Sequence, residues 1–191
     1  MQRRKNFVRI AFVGLIVVCL WNCNSTNQST KNKVNTLSNA WSSTGASITT
    51  LHENLQKAIA VCNESVPAIQ RQLNLSRKTS GNEAVDSVFY EYKHSCEIIA
   101  ELFTSCDTYK KSYTETRTSY NTFENNVLHG HLSDQEAEKY LQKFQALHLD
   151  LDSSVKKLQE TFRQTTQLHN ASGARLMDEL DMFASYKIEP R

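Results

Sequence analysis

Apolar residues recur along this chain every three or four positions, the spacing that gathers side chains onto one stripe of an α-helix. The first stripe runs Val34, Leu37, Trp41, Thr44, Ile48, Leu51, Leu55, Ala58 and Cys62, and reaches Ile69 after a polar slot at Ser65. A second runs from Val85 through Tyr92, Ser95, Ile99, Leu102, Cys106, Tyr109, Tyr113 and Tyr120 to Val127, with Phe89, Cys96 and Phe103 widening it. The third comprises Ala137, Leu141, Phe144, His148, Leu151, Val155, Leu158, Phe162 and Thr165, then less regularly Leu176, Leu180 and Phe183. No strand-like alternation competes with these stripes.

Turn chemistry divides them. Residues 77–82 read RKTSGN, and Ser80 with Glu83 has capping-box spacing. Gly130 supplies a left-handed helix terminus, and Ser133 with Glu136 forms a second capping box. The pattern therefore predicts helices over about 34–76, 82–128 and 133–184. Joined by tight turns, they form an all-α fold, a long antiparallel three-helix bundle with coiled-coil-like packing.

Two interruptions modify that expectation. Pro67 lies inside the first stripe, where a lost amide and a ring clash cost ~3 kcal/mol. The first helix is expected to kink there, or to break near Ser65 and restart. Asn170 to Gly173 are weak helix formers, which predicts a separate short helix beyond Ala174.

The amino-terminal residues follow a different logic. Arg3, Arg4, Lys5 and Arg9 precede an apolar run of twelve residues, Ile10 to Trp21. Twelve helical residues rise ~18 Å, short of the ~30 Å hydrocarbon core of a membrane. Such a segment reads as an export signal rather than a spanning anchor. It ends Leu20, Trp21, Asn22, Cys23, which resembles the lipobox of bacterial lipoproteins in its loose, spirochaete-like form. Trp21 and Asn22 depart from the small residues of the strict pattern. The resemblance is confined to this leader. It implies a signal peptide over 1–22, lipidation of Cys23 as the mature terminus, and attachment to the outer membrane or cell surface. The alternative is a cleaved secretory signal and a freely secreted protein. Residues 23–33, rich in Asn, Ser and Thr, read as a flexible tether before a bundle over 34–186.

Charge supports the same division. The net charge of +2 includes the four basic residues of the leader; without them, 18 basic residues face 20 acidic ones. That balance argues against a nucleic-acid partner.

Cys62 and Cys96 lie equally far from the first turn, centred near residue 79, so an antiparallel hairpin sets them opposite one another. In an exported protein such a pair is a disulfide candidate. Cys106 has no evident partner; ten helical residues, ~15 Å of rise, separate it from Cys96. By the register of the second turn, centred near residue 130.5, His148 faces Tyr113, and by that of the first Tyr113 faces Gly45 beside Thr44, which raises a candidate polar core layer of Thr44, Tyr113 and His148.

Little else carries chemistry. His129 and His131, with Asp134 nearby, are the one local group of ligand types, too few for a metal site. His52, His94 and His169 sit among polar neighbours and read as exposed. The Asn-x-Ser/Thr triplets at Asn24, Asn27, Asn63, Asn74 and Asn170 read as chance products of an Asn-rich chain. No nucleophile elbow, phosphate loop or H-E-x-x-H is present. The expectation is a non-enzymatic, lipid-anchored scaffold or protein-binding module without cofactor or metal. Its partners would be the membrane through acylated Cys23, an unidentified protein, and a second copy of the chain through heptad flanks. The alternative is a secreted helical effector or ligand carrier that uses the tyrosine-rich face of the second helix.

Overall fold

The computed structural model describes residues 26–76, 83–180 and 188. The leader, Cys23, the turn carrying Ser80 and the region that includes Phe183 lie outside the described residues. Among the described residues there are three helices and no strand: α1 (Gln28–Ser76), α2 (Glu83–Leu128) and α3 (Asp134–Glu179). They pack against one another as an all-α three-helix bundle. None of them is long and apolar enough to cross a membrane.

Contacts divide the chain into two compact units. The first takes residues up to Ser43 and Thr114–Asp150; the second takes Thr44–Tyr113 and the chain from Leu151. Each draws a segment from all three helices.

In the first unit the core is Val34, Trp41, Tyr120, Phe123, Val127, Leu141 and Phe144, the residues of the three stripes. Tyr120 is wholly buried, and its hydroxyl donates to the carbonyl of Val34. Burial, aided by the nearby Glu124, raises its pKa well above the ordinary tyrosine range. Gly130 adopts φ 70°, and the amides of Gly130 and His131 bond back to Val127 and Asn126, closing α2. Ser133 and Glu136 bond reciprocally, Ser133 N–H to Oε2 at 3.0 Å and Glu136 N–H to Ser133 Oγ at 3.4 Å. The Ser133 hydroxyl, which donates to Glu136 Oε2 at 2.6 Å, and then the Ser133 amide hold the Glu136 carboxyl below its usual range.

The tether expectation is corrected here for residues 26–33; residues 23–25 lie outside the described residues. α1 begins at Gln28, with Thr26 and Thr30 buried. Asn27 caps it, accepting the Thr30 amide at 2.8 Å through Oδ1. The backbone and side-chain amides of Asn27 both donate to Asp134, each at 2.7 Å. Thr26 donates to the Leu132 carbonyl and Lys33 pairs with Glu138 at 2.6 Å. Polar residues form helix here because their partners are the start of α3, a relationship that a search for apolar periodicity does not register.

In the second unit the antiparallel register of α1 and α2 is read from Ser65 against Tyr92, Cys62 against Cys96 and His52 against Asp107. α1 does not break at Pro67: the helix is continuous through it. Pro67 and Asn63, whose carbonyl loses its amide partner, both face solvent, so water can satisfy the orphaned oxygen. The separate helix after Ala174 is likewise not found, since α3 continues to Glu179. Ser172 is buried and its hydroxyl lies 2.9 Å from the Leu168 carbonyl and 3.2 Å from that of His169, bonds made within the helix. Gly173 lets α3 approach the ring of Tyr92, which would stand 3.1 Å from an added Cβ.

Candidate functional site

Among the described residues a concentration of buried polar chemistry lies in the second unit, where all three helices contribute. α1 supplies Cys62 and Ser65, α2 supplies Tyr92, Ser95 and Cys96, and α3 supplies His169. Cys62 and Cys96 are joined by a disulfide with Cα atoms 5.6 Å apart. The bond ties the α1 and α2 stripes where the hairpin register brings them level.

Around it the hydrogen bonds form a directed set. Tyr92 is wholly buried and donates to Ser65 Oγ at 2.7 Å, and Ser65 in turn reaches the Cys62 carbonyl at 3.4 Å. Ser95 Oγ lies 2.6 Å from the Tyr92 carbonyl and 3.0 Å from His169 Nδ1. Two oxygens that close need a proton between them, and a carbonyl has none, so the single Ser95 proton goes to Tyr92. Ser95 can then only accept from His169, which assigns a proton to Nδ1. The same Nδ1 stands 3.7 Å from Cys96 Sγ. The His169 ring, fully buried, lies 4.2 Å from that of Tyr92 between centroids.

His169 therefore corrects the expectation of an exposed side chain. A signal existed: Phe162, Thr165, His169, Ser172 and Leu176 keep the three-or-four spacing, so His169 continues the stripe as a polar member. Cys62, Cys96 and His169 offer atoms within 4.8 Å of one another, a ligand-like grouping. With the sulfurs bonded together the grouping offers a metal no thiolate, and with Nδ1 protonated the imidazole lone pair lies on Nε2.

Outward from the disulfide lies an apolar groove of about 410 Å³. Ile59, Val66, Pro67 and Ala100 line it with both cysteines, and Lys93 and Glu97 stand among its lining residues.

Other candidates fall elsewhere. Thr44 is buried and donates to Asp152 at 3.2 Å. Tyr113 is half-buried with its hydroxyl over Gly45, in the same unit. His148 belongs to the first unit, its ring 5.1 Å from that of Trp41. His52 is only 17% exposed, bonds to Asp107 at 2.9 Å and packs on Phe103, a second departure from an exposed histidine. His94 is exposed as expected. His129 and His131 sit in the turn, with His129 Nδ1 2.8 Å from the Asn125 carbonyl. Cys106 is a free, buried thiol beneath the Ile48 carbonyl, and burial pushes it up to about 11. Of the glycosylation triplets, Asn27 is engaged by Asp134, and Asn170 holds both backbone groups of Ile188, at 2.8 and 2.9 Å.

Comparison of the chain with protein-family models, curated proteins and solved structures gave no match.

Proposed function

We propose that this protein is an exported, lipid-anchored helical module of the cell envelope that acts by binding another protein or by holding a scaffold, without catalysing a reaction. The observation that carries the reading is the Cys62–Cys96 disulfide, because such bonds persist outside the reducing cytosol. It agrees with a leader whose apolar run ends at Cys23. Multiple acyl chains on Cys23 would hold the protein firmly, where one chain binds only weakly.

Within the first unit, Tyr140 and Leu147 lie one heptad apart on α3 and are 46% and 42% exposed. Apolar side chains on an outer face are the kind of surface a protein partner covers. The alternative, a secreted carrier using the tyrosines of α2, draws less support. Tyr92 and Tyr120 are wholly buried in packing, and Tyr90 is the broadly exposed one at 70%.

The test is the intact mass of mature protein extracted in detergent from membranes of its native host. The reading expects a chain that starts at Cys23 and carries acyl mass, and loss of membrane association in Cys23→Ser. A different start without acyl mass would replace it with the secreted alternative.

A further inference from the structure

The disulfide differs from a purely structural crossbrace in two respects. One side of it opens on the groove, which both cysteines line. On the other side a protonated imidazole nitrogen, fully buried, points its hydrogen toward Ser95 and stands 3.7 Å from Cys96 Sγ, with Cys62 Sγ also within 4.8 Å of the His169 ring. A thiolate formed at Cys96 would accept a hydrogen bond from that N–H, whereas among the described residues Cys62 Sγ makes no hydrogen-bond contact with it. Thiol–disulfide exchange favours expulsion of the sulfur that is the better-stabilised anion.

We propose that Cys62–Cys96 is a thiol-exchange site, at which a thiolate entering the groove attacks Cys62 and expels Cys96 onto His169. The incoming thiolate sulfur forms a bond to Cys62 Sγ, the Cys62–Cys96 bond breaks, and its electron pair leaves on Cys96 Sγ. Negative charge passes from the entering sulfur to Cys96, so no oxidant, reductant or proton is consumed in that step. Nδ1–H of His169 shares itself between Ser95 and the new thiolate without leaving the ring. The product is a mixed disulfide on Cys62, reversible by the return of Cys96. His169 touches the reacting sulfur directly. The proposal goes beyond the lipid-anchored reading and does not depend on it.

Among the described residues that line the groove, the charged ones are Lys93 and Glu97. α2 supplies both, α1 contributes Asn63, Val66 and Pro67, and α3 contributes His169 from the inner side. A shift in thiol acidity at Cys96 is therefore attributable to His169 or to Lys93, and separate variants distinguish them.

The experiment uses the full chain with its disulfide formed, without denaturant. It is incubated in one arm with glutathione and in a second with a dithiol oxidoreductase whose resolving cysteine has been replaced. Mixed disulfides are located by peptide mass mapping. The expected result is an adduct on Cys62 with Cys96 open to alkylation; the arm in which it forms identifies a small thiol or a protein thiol as the source. His169→Gln should slow formation about tenfold or more. Since replacing a buried side chain can weaken the fold, a second measurement follows the ultraviolet absorbance of the Cys96 thiolate in Cys62→Ser. There Cys96 should titrate below the ordinary thiol value of about 8.5, return to it or above in Cys62→Ser/His169→Gln, and stay low in Cys62→Ser/Lys93→Gln. Adducts that appear only in denaturant, adducts on Cys96, or a Cys96 acidity indifferent to His169 would each overturn the proposal.

Discussion

The hydroxyl of Tyr113 occupies the place where a side chain at Gly45 would begin. Glycine in a helix interior costs about 1 kcal/mol relative to alanine, and at this position the cost is offset by seating a tyrosine from α2 against bare α1 backbone. Gly45→Ala is expected to lower stability by about 1–2 kcal/mol, because the ring must be displaced. In a Tyr113→Ala background the same change should instead stabilise by up to about 1 kcal/mol. A double-mutant cycle in denaturant reads this reversal of sign directly.

The Cys62–Cys96 bond spans a sequence separation of 34 residues. Closing a loop of that size removes denatured-state entropy worth about 3–4 kcal/mol in the chain-entropy model. Replacing both cysteines with alanine should lower the melting temperature substantially while leaving far-ultraviolet circular dichroism helical. An unchanged melting temperature would mean that the hairpin is already confined without the bond.

Asn27 joins the start of α1 to the start of α3 within the first unit, capping one helix and holding Asp134 with two donors. Asn27→Ala is expected to cost about 1–2 kcal/mol. The loss should be local first: hydrogen exchange of amides in residues 28–33 should accelerate before that of the stripe residues further along α1. If those amides are already unprotected in the native chain, the cap has no part in stability.

Alkaline pH should weaken the second unit through Cys106. Its thiol is 1% exposed and is pushed up from 9.0 to about 11, first by burial and then by the charge of Asp107. A raised folded value means that the fold favours the neutral thiol. The associated stability is complete below pH 9 and is lost as pH rises toward 11, by roughly 2–3 kcal/mol. Urea midpoints measured across that range should fall less steeply for Cys106→Ala than for the parent chain. Below pH 9 the native Cys106 should also resist alkylation.

Helix positions, the two boundaries at Gly130 and Ser133, and the level of Cys62 with Cys96 could all be read from spacing. Those features depend on local propensity and on a register that is the same along a hairpin. Readings that relied on residue type alone fared worse. Asn, Ser and Thr before Val34 looked like a tether, yet α3 offers Asp134 and Glu138 as partners for them. Pro67 looked like a kink or a break, and no break occurs there, because it lies on a solvent-facing side where its cost is tolerable. His169 looked exposed because its sequence neighbours are polar, although its spacing matched the stripe.

The sequence by itself determined that this chain makes three amphipathic helices and which apolar residues form their stripes, because a heptad pattern is a statement about one face of each helix. Only the tertiary structure decided what the polar members of those faces do. Ser65, the Tyr92–Ser95 pair and His169 are far apart in the chain, and the direction of each proton among them follows from contacts of 2.7 and 3.0 Å across helices and 2.6 Å within α2. Periodicity ranks positions as inside or outside, but a hydrogen bond depends on the identity and orientation of a partner that another helix brings.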